Sequence, residues 1–312
     1  MTSVAPRDYY GKALVELGKV DPNVFVLDAD LSSSTKTGLF AKAFPNRFFN
    51  AGIAEQNCIG MAAGLANMGK TVFASSFAMF ISGRAWEQIR NTVAYTKLNV
   101  KVVATHAGVT VGEDGGTHQA IEDLAIMRPI PSLNVLVPAD AIEAAQMVHV
   151  MAAEYGPFYL RMSRGASPLV FEGTDYQFKL GKSEVIRQGG DVTIVACGIM
   201  VDIALRAAQT LQKQKINVRV INLSSIKPID EAVLIAAARE TGAIVTAEEH
   251  SVIGGMGSAV AEVIVKNAPV PMEMLGVEGV FGESGKPDEL LEKHHLTVEG
   301  LIAKVNLVLA RK

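Results

Sequence analysis

The stretch Asn50-Ala51-Gly52-Ile53-Ala54-Glu55-Gln56-Asn57 joins two elements of opposite character. A short apolar strand at Phe48-Phe49 runs into it. A helix of small residues leaves it through Cys58-Ile59-Gly60-Met61-Ala62-Ala63-Gly64-Leu65-Ala66. Glu55 falls in the first turn of that helix, and the turns that follow carry almost no charge. The pattern predicts a buried helix with Glu55 buried alongside it. Burial disfavours the charged form of a carboxylate, so Glu55 reads as a group that holds or shares a proton. It must also have a hydrogen-bond partner. A carboxylate that merely complements the helix dipole is the competing account.

On both sides of this stretch, strand and helix alternate. Upstream, residues 8–20 read as a helix with Tyr9, Ala13, Leu14 and Leu17 on one side. The apolar run Val24-Phe25-Val26-Leu27 reads as a strand covered on both faces. Downstream, strands are predicted at Thr71–Ala74, Val100–Ala104, Asn134–Val137 and Phe158 onward. Helices are predicted through Trp86–Arg90, from near Gln119, and from Ala141 to about Glu154. Residues 167–190 change character and read as a linker with a short lead-in strand. A second alternation follows, with strands at Val192–Cys197, Val218–Asn222, Ala243–Ala247 and near Met272–Leu275. Its helices lie near 200–212, 230–240, 256–267 and 297–311. The fold class is therefore α/β, with two domains built on mostly parallel sheets. The boundaries fall at 1–170, a linker at 171–190, and 191–312.

Bulk properties exclude several function classes. The 312 residues suit two domains, and 49% apolar content suffices for extensive cores. A mean hydropathy of +0.25 points to apolar surface covered by a partner. The net charge of −3 gives no attraction to nucleic acid or to an anionic membrane. No apolar run reaches transmembrane length. The start, Met1-Thr2-Ser3-Val4-Ala5-Pro6-Arg7-Asp8, lacks the apolar core of a signal peptide. The two cysteines, Cys58 and Cys197, sit in apolar segments and read as free thiols of a cytoplasmic protein.

Polar residues gather at the carboxyl ends of the first unit's strands: Asp30, Ser34, Glu55, His106, Asp114, His118 and Arg164. Open parallel sheets place their ligands there. No Cys/His cluster has metal-ligand spacing, although Asp30, Asp114 and His118 could in principle ligate a metal. Gly112-Glu113-Asp114-Gly115-Gly116 lacks the Lys-Ser/Thr ending of a phosphate-binding P-loop. Gly254-Gly255-Met256-Gly257 lies too late in the chain, and with the wrong spacing, for a dinucleotide fingerprint.

Three motifs taken together resemble the thiamine diphosphate enzymes of the transketolase family: Gly52-Ile53-Ala54-Glu55-Gln56-Asn57, Ser76-Phe77-Ala78-Met79-Phe80, and Gly112-Glu113-Asp114-Gly115-Gly116-Thr117-His118-Gln119. Phe281-Gly282-Glu283-Ser284-Gly285-Lys286-Pro287 adds to the likeness. The resemblance covers essentially the whole chain, but only the second half of a full-length transketolase. That half comprises the pyrimidine-binding and C-terminal domains. The family's first domain holds the diphosphate through a divalent metal, using a Gly-Asp-Gly and a later Asn. No such pair occurs here. The resemblance thus implies an N-terminal partner subunit that holds the diphosphate and Mg2+ or Ca2+, and a heterotetramer of two copies of each. A natural Met1 start and a complete second domain favour a split-gene subunit over a fragment.

The resemblance also implies roles. Glu55 would hydrogen-bond the aminopyrimidine of thiamine diphosphate, so that the cofactor's own amino group acts as its base. Phe80 would stack on the pyrimidine, with Phe77 in the same pocket and Asp30 near the thiazolium. Gly83 stands where the family often has a third aromatic residue. His106 and His118 would contact the sugar donor's oxygens and assist proton transfers. Asp114 would read a substrate hydroxyl. Arg7, Ser34 and Arg164 would hold the sugar phosphate, with Arg161 a second candidate; arginine's fork suits phosphate. The implied reaction moves a two-carbon ketol unit from a ketose phosphate to an aldose phosphate. Competing readings are a 1-deoxyxylulose-5-phosphate synthase, a 2-oxo acid dehydrogenase beta subunit, and a non-enzymatic scaffold. His106 and Phe80 count against the synthase, which usually has Arg at both places. The Gly112–Gln119 loop counts against the dehydrogenase, and the intact site set counts against the scaffold.

Overall fold

The continuous apolar runs become the inner strands of two sheets in the computed structural model, which describes residues 2–312. The first sheet has the order Ser225–Lys227, Asn134–Leu136, Phe158–Arg161, Val100–Thr105, Thr71–Phe77, Val24–Asp28, Phe48–Asn50. Its six strands from the first part of the chain are mutually parallel. Ser225–Lys227 pairs antiparallel with Asn134–Leu136 at the edge and arrives from the later part of the chain. The second sheet runs Met272–Val277, Ile244–Ser251, Val192–Ala196, Val218–Asn222, Glu184–Arg187, with only the last strand antiparallel. This is the expected α/β architecture of two mostly parallel sheets flanked by helices.

Thr71–Phe77 and Val100–Thr105 are buried at every position, as strands covered on both faces must be. Thr71–Phe77 runs three residues past the expected end at Ala74, so Ser75, Ser76 and Phe77 belong to the strand. The helix Ala78–Arg84 then starts without an intervening loop. Helix Pro6–Val20 opens on a proline, which lacks the N–H that a first turn leaves unpaired anyway. Its inward aromatic is Tyr10, not the expected Tyr9. The Tyr10 hydroxyl meets the Ser75 hydroxyl at 2.7 Å.

The helix Glu55–Asn67 departs from expectation. Cys58, Ile59, Ala62, Ala63 and Ala66 are buried, but Gln56, Asn57, Gly60, Gly64 and Asn67 are exposed. A Cβ placed on Gly60 or Gly64 would meet nothing within 4 Å. Lack of charge on this helix therefore does not mean burial all round. Its outer face is made of amides and bare backbone, with Ile53 and Met68 exposed at either end.

The two sheets share a core. One apolar cluster contains Ile59 and Val102 from the first unit and Ile221, Leu234 and Ile244 from the second. A buried polar network crosses the same junction. Arg161 Nε donates to Asp123 Oδ2 at 2.9 Å, and Nη2 donates to the carbonyls of Ala120 and Glu249. Arg161 is thus buried and committed to partners inside the chain, and the expectation that it serves as a second phosphate ligand is corrected. Cys58 and Cys197 are free and buried, and burial pushes the Cys58 thiol up to about 12. Among the described residues no helix is long and apolar enough to cross a membrane.

Candidate active site

Parallel neighbours deliver their carboxyl ends to one edge. Val24–Asp28, Phe48–Asn50, Thr71–Phe77 and Val100–Thr105 are adjacent strands, and they lead to Asp30 and Ser34, to Glu55, to Phe80, and to His106. The site is assembled by topology from segments far apart in sequence.

Glu55 is the first residue of its helix and is 3% exposed. Arg84 Nη1 lies 3.2 Å from Glu55 Oε1 and 3.3 Å from Oε2. The same guanidinium lies over Phe80, with Cζ 4.3 Å from the ring centroid. The sequence reading gave Glu55 a held or shared proton; here the carboxylate is paired with a cation 29 residues away.

A row of rings continues from Phe80. Its centroid is 5.1 Å from that of His118 in an edge contact and 5.9 Å from that of Phe77. Phe77 stacks on His106 at 3.8 Å. His106 has φ 58°, a left-handed conformation uncommon outside glycine. Its ring is held at both nitrogens, Nδ1 at 2.9 Å from Thr105 Oγ1 and Nε2 at 3.1 Å from Arg7 Nη1. A guanidinium only donates, so Nε2 accepts and the ring proton sits on Nδ1. Burial, reinforced by Arg7, Arg164 and His118, pushes the His106 pKa down to about 3. The imidazole is neutral.

Arg7 Nη1 also donates to the Ser34 carbonyl at 3.0 Å, and its buried Nε has no partner. Arg164 Nη1 donates to the Val111 carbonyl and lies 3.3 Å from Glu113 Oε2. Both arginines line a cavity of about 410 Å³ with Thr110, Ala166 and Pro287. Burial lowers the Arg7 pKa, Asp8 opposes this, and Arg164 adds to it. Two like charges facing one cleft, with a donor still free, suit an anion.

Asp30 and Asp114 stand outside this chain of contacts. Asp30 is exposed and braced by Asn50, whose Nδ2 donates to Asp30 Oδ1 at 2.9 Å. Asp114 is exposed on the loop. The carboxylate buried at this strand end is Asp28, which accepts from the Thr35 and Thr37 hydroxyls at 2.7 and 2.8 Å and shapes the turn carrying Ser34. Among the described residues no three His, Cys, Asp or Glu side chains converge to hold a metal.

Residues 2–169 match the family model described as transketolase, pyrimidine binding domain, and residues 181–301 match the one described as transketolase, C-terminal domain. The chain belongs to the transketolase family. It is 51% identical over 301 residues to "Putative transketolase C-terminal section" of Methanocaldococcus jannaschii, covering 96% of this chain and 94% of that protein. It is 43% identical over 306 residues to a 6-deoxy-6-sulfo-D-fructose transketolase subunit of Clostridium sp. strain MSTE9, covering 98% and 95%. It is 37% identical over 309 residues to an apulose-4-phosphate transketolase subunit of Phocaeicola vulgatus, covering 99% and 98%. Among solved structures it is similar to a split-gene transketolase described as an inactive beta4 tetramer, with TM-score 0.93, 54% identity and 99% of both chains covered.

Within this transketolase scaffold, several residues of consequence escaped the sequence reading. Arg84 carried no signal, since nothing local marks a guanidinium that returns to Glu55. Gln119 closes the third motif yet was given no role. Its Nε2 donates to the carbonyls of Val109 at 3.0 Å and Glu283 at 2.9 Å, tying the Asp114–His118 loop to the Phe281–Pro287 segment. Glu249 holds the start of the same loop from the second sheet. A Cβ at Gly83 would meet nothing within 4 Å, so the wall beyond Phe80 is open there.

The residues present fit an aminopyrimidine. Such a ring needs a carboxylate for its edge and an aromatic surface for its face. Glu55 and Phe80 supply these, and the planar Arg84 guanidinium already makes both contacts.

Proposed function

We propose that the chain is the C-terminal subunit of a split transketolase that moves a two-carbon ketol unit from a ketose phosphate to an aldose phosphate. Its pyrimidine-binding domain covers residues 1–170 and its C-terminal domain 191–312, with 171–190 between them. An N-terminal subunit supplies the diphosphate site and a Mg2+ or Ca2+ ion. Two copies of each subunit form a cytoplasmic heterotetramer. The exposed, small-residue face of Glu55–Asn67 is the surface through which the chain meets its neighbour across the site.

The observation that carries this reading is the contact path from Glu55 through Arg84 to Phe80, and from Phe80 to His118 directly and to His106 through Phe77. Thiamine diphosphate supplies, when bound, the electron sink for breaking and forming the carbon–carbon bond. Glu55 would hold the edge of the pyrimidine and Phe80, beside Phe77, would offer an aromatic surface to its face. His106 is neutral, and its Nε2, which accepts from Arg7 Nη1 in this structure, takes a hydrogen bond from a donor hydroxyl when Arg7 turns to the phosphate; His118 faces the same space from the loop. Asp114 would read a further hydroxyl, and Asp30 would add a negative charge near the cofactor. Arg7, Ser34 and Arg164 hold the phosphate end of the sugar in the cleft they line or flank. Donor choice at this cleft is in keeping with relatives that are named for a sulfo-sugar and for apulose phosphate.

The test mixes this chain with its N-terminal subunit, thiamine diphosphate and magnesium, and offers xylulose 5-phosphate with ribose 5-phosphate. Transfer of a two-carbon unit is expected. Turnover of pyruvate instead would move the assignment to the synthase or the dehydrogenase subunit.

A further inference from the structure

We infer that Arg84 is a stand-in for the aminopyrimidine. Its guanidinium fills the slot between Glu55 and Phe80, and the cofactor's ring binds by displacing it. The inference rests on the cofactor reading above and adds to it a competitor built into the chain.

Two independent contacts define the slot. One is the edge contact from Arg84 Nη1 to both Glu55 oxygens, at 3.2 and 3.3 Å. The other is the face contact, with Arg84 Cζ 4.3 Å from the Phe80 centroid. An aminopyrimidine and a guanidinium share the needed features: both are planar, carry N–H groups at the rim, and stack on aromatic rings. One slot cannot hold both.

The surroundings allow the exchange. Arg84 closes its helix, and its side chain is 53% exposed. Gly83 beside it is exposed, with open space where a side chain would be. The Arg84 carbonyl accepts from Gln56 Nε2 at 3.1 Å, so the backbone is tethered and only the side chain needs to swing. Among the described residues Arg84 is the sole hydrogen-bond partner of the Glu55 carboxylate. A buried carboxylate needs such a partner. Arg84 therefore keeps Glu55 in place and sets a threshold that only a ring able to pair and stack will cross. A bare diphosphate does neither.

Removing the competitor should tighten binding of the pyrimidine end by about tenfold, the scale of one screened ion pair plus one cation–π contact. The probe is thiamine, which carries the aminopyrimidine without the diphosphate. It is titrated into the full chain by saturation-transfer NMR, with the fluorescence of Trp86, the chain's only tryptophan, as a second signal. Arg84→Met should bind thiamine about tenfold more tightly than the wild type. Arg84→Lys keeps the charge but not the plane; it should fall between the two, and it keeps the test open if Arg84→Met does not fold. Phe80→Ala should lose binding in either background. Equal affinity in wild type, Arg84→Met and Arg84→Lys, lost on Phe80→Ala, would overturn the stand-in and leave the cofactor reading intact. Thiamine binding by none of the folded proteins would overturn both.

Discussion

The Glu249 carboxylate, on the strand Ile244–Ser251, accepts the Thr110 N–H at 2.6 Å through Oε1. It reaches from the second sheet to the segment that leads to Asp114 and His118. It also packs flat against Gly108, where a Cβ would sit 2.3 Å from its Cδ. The Thr110–His118 loop of the first unit is thus founded on a side chain of the second. This gives the later domain a task that its sequence alone did not disclose.

The burial of Glu249 at this contact makes stability depend on pH. Burial raises the Glu249 pKa from 4.5 to about 7, against the opposing pull of Arg161 and the Thr110 hydrogen bonds. The folded chain therefore holds a proton that the unfolded chain releases between these values. The stabilisation is complete below the unfolded value and is lost as pH rises through the folded one, by roughly 3 kcal/mol. Urea denaturation at pH 5 and pH 8 should show this loss in the wild type and not in Glu249→Gln, whose amide oxygen can still accept from Thr110. Parallel pH curves for the two proteins would refute the assignment.

His106 should stay neutral across the working range. Its pKa is held near 3 by burial first, then by Arg7, Arg164 and His118. The unfolded ring gains a proton near 6.5 while the folded ring does not, so this group lowers stability as pH falls from 6.5 toward 3. An NMR titration should find no His106 protonation between pH 8 and pH 5. A midpoint near 6 would mean that Arg7 does not donate to Nε2 and that the ring is not fixed as an acceptor.

What the sequence made legible follows from distance along the chain. Val100–Thr105 and Val192–Ala196 were readable because a doubly covered strand is apolar along most of its length, with only Lys101, Thr105 and Thr193 breaking the two runs. Glu55, Phe80 and His118 stood out as candidates because each sits in a local motif, and His106 because it follows a strand. Arg84 and Glu249 did not, since their meaning lies in partners 29 and 139 residues away. Ser225–Lys227 escaped because three residues carry no period, and only the sheet they complete defines them. The outer face of Glu55–Asn67 was misread because small uncharged residues look alike whether buried or bare.

The tie between the two loops leaves no room at Gly282. A Cβ there would sit 1.7 Å from Gln119 Oε1. Gly282→Ala should therefore push Gln119 off the Val109 and Glu283 carbonyls and cost about 1–3 kcal/mol. Gly190→Ala, with nothing within 4 Å, is the matched control and should change stability by less than about 0.5 kcal/mol. Thermal melts of the two variants compare them directly, and hydrogen exchange should report loosening of residues 109–119 in Gly282→Ala alone. Equal melting points would mean that the loops part easily and that Gln119 does not hold them.

Glu55→Gln separates chemistry from folding. The glutamine has the same shape and can still sit at the helix start, but it cannot exchange a proton with a ring nitrogen. The cost to the fold is small, because the lost ion pair joins Glu55 to an Arg84 side chain that is 53% exposed. Water screens such a pair to about 1 kcal/mol or less. The far-ultraviolet circular dichroism spectrum should match that of the wild type, and the melting point should shift by a few degrees at most. Two-carbon transfer by the assembled two-subunit enzyme should fall by about 100-fold or more, the scale of losing a positioned proton-transfer group. A folded variant that keeps near-normal rates would remove Glu55 from the mechanism and leave it as a carboxylate that only complements its helix.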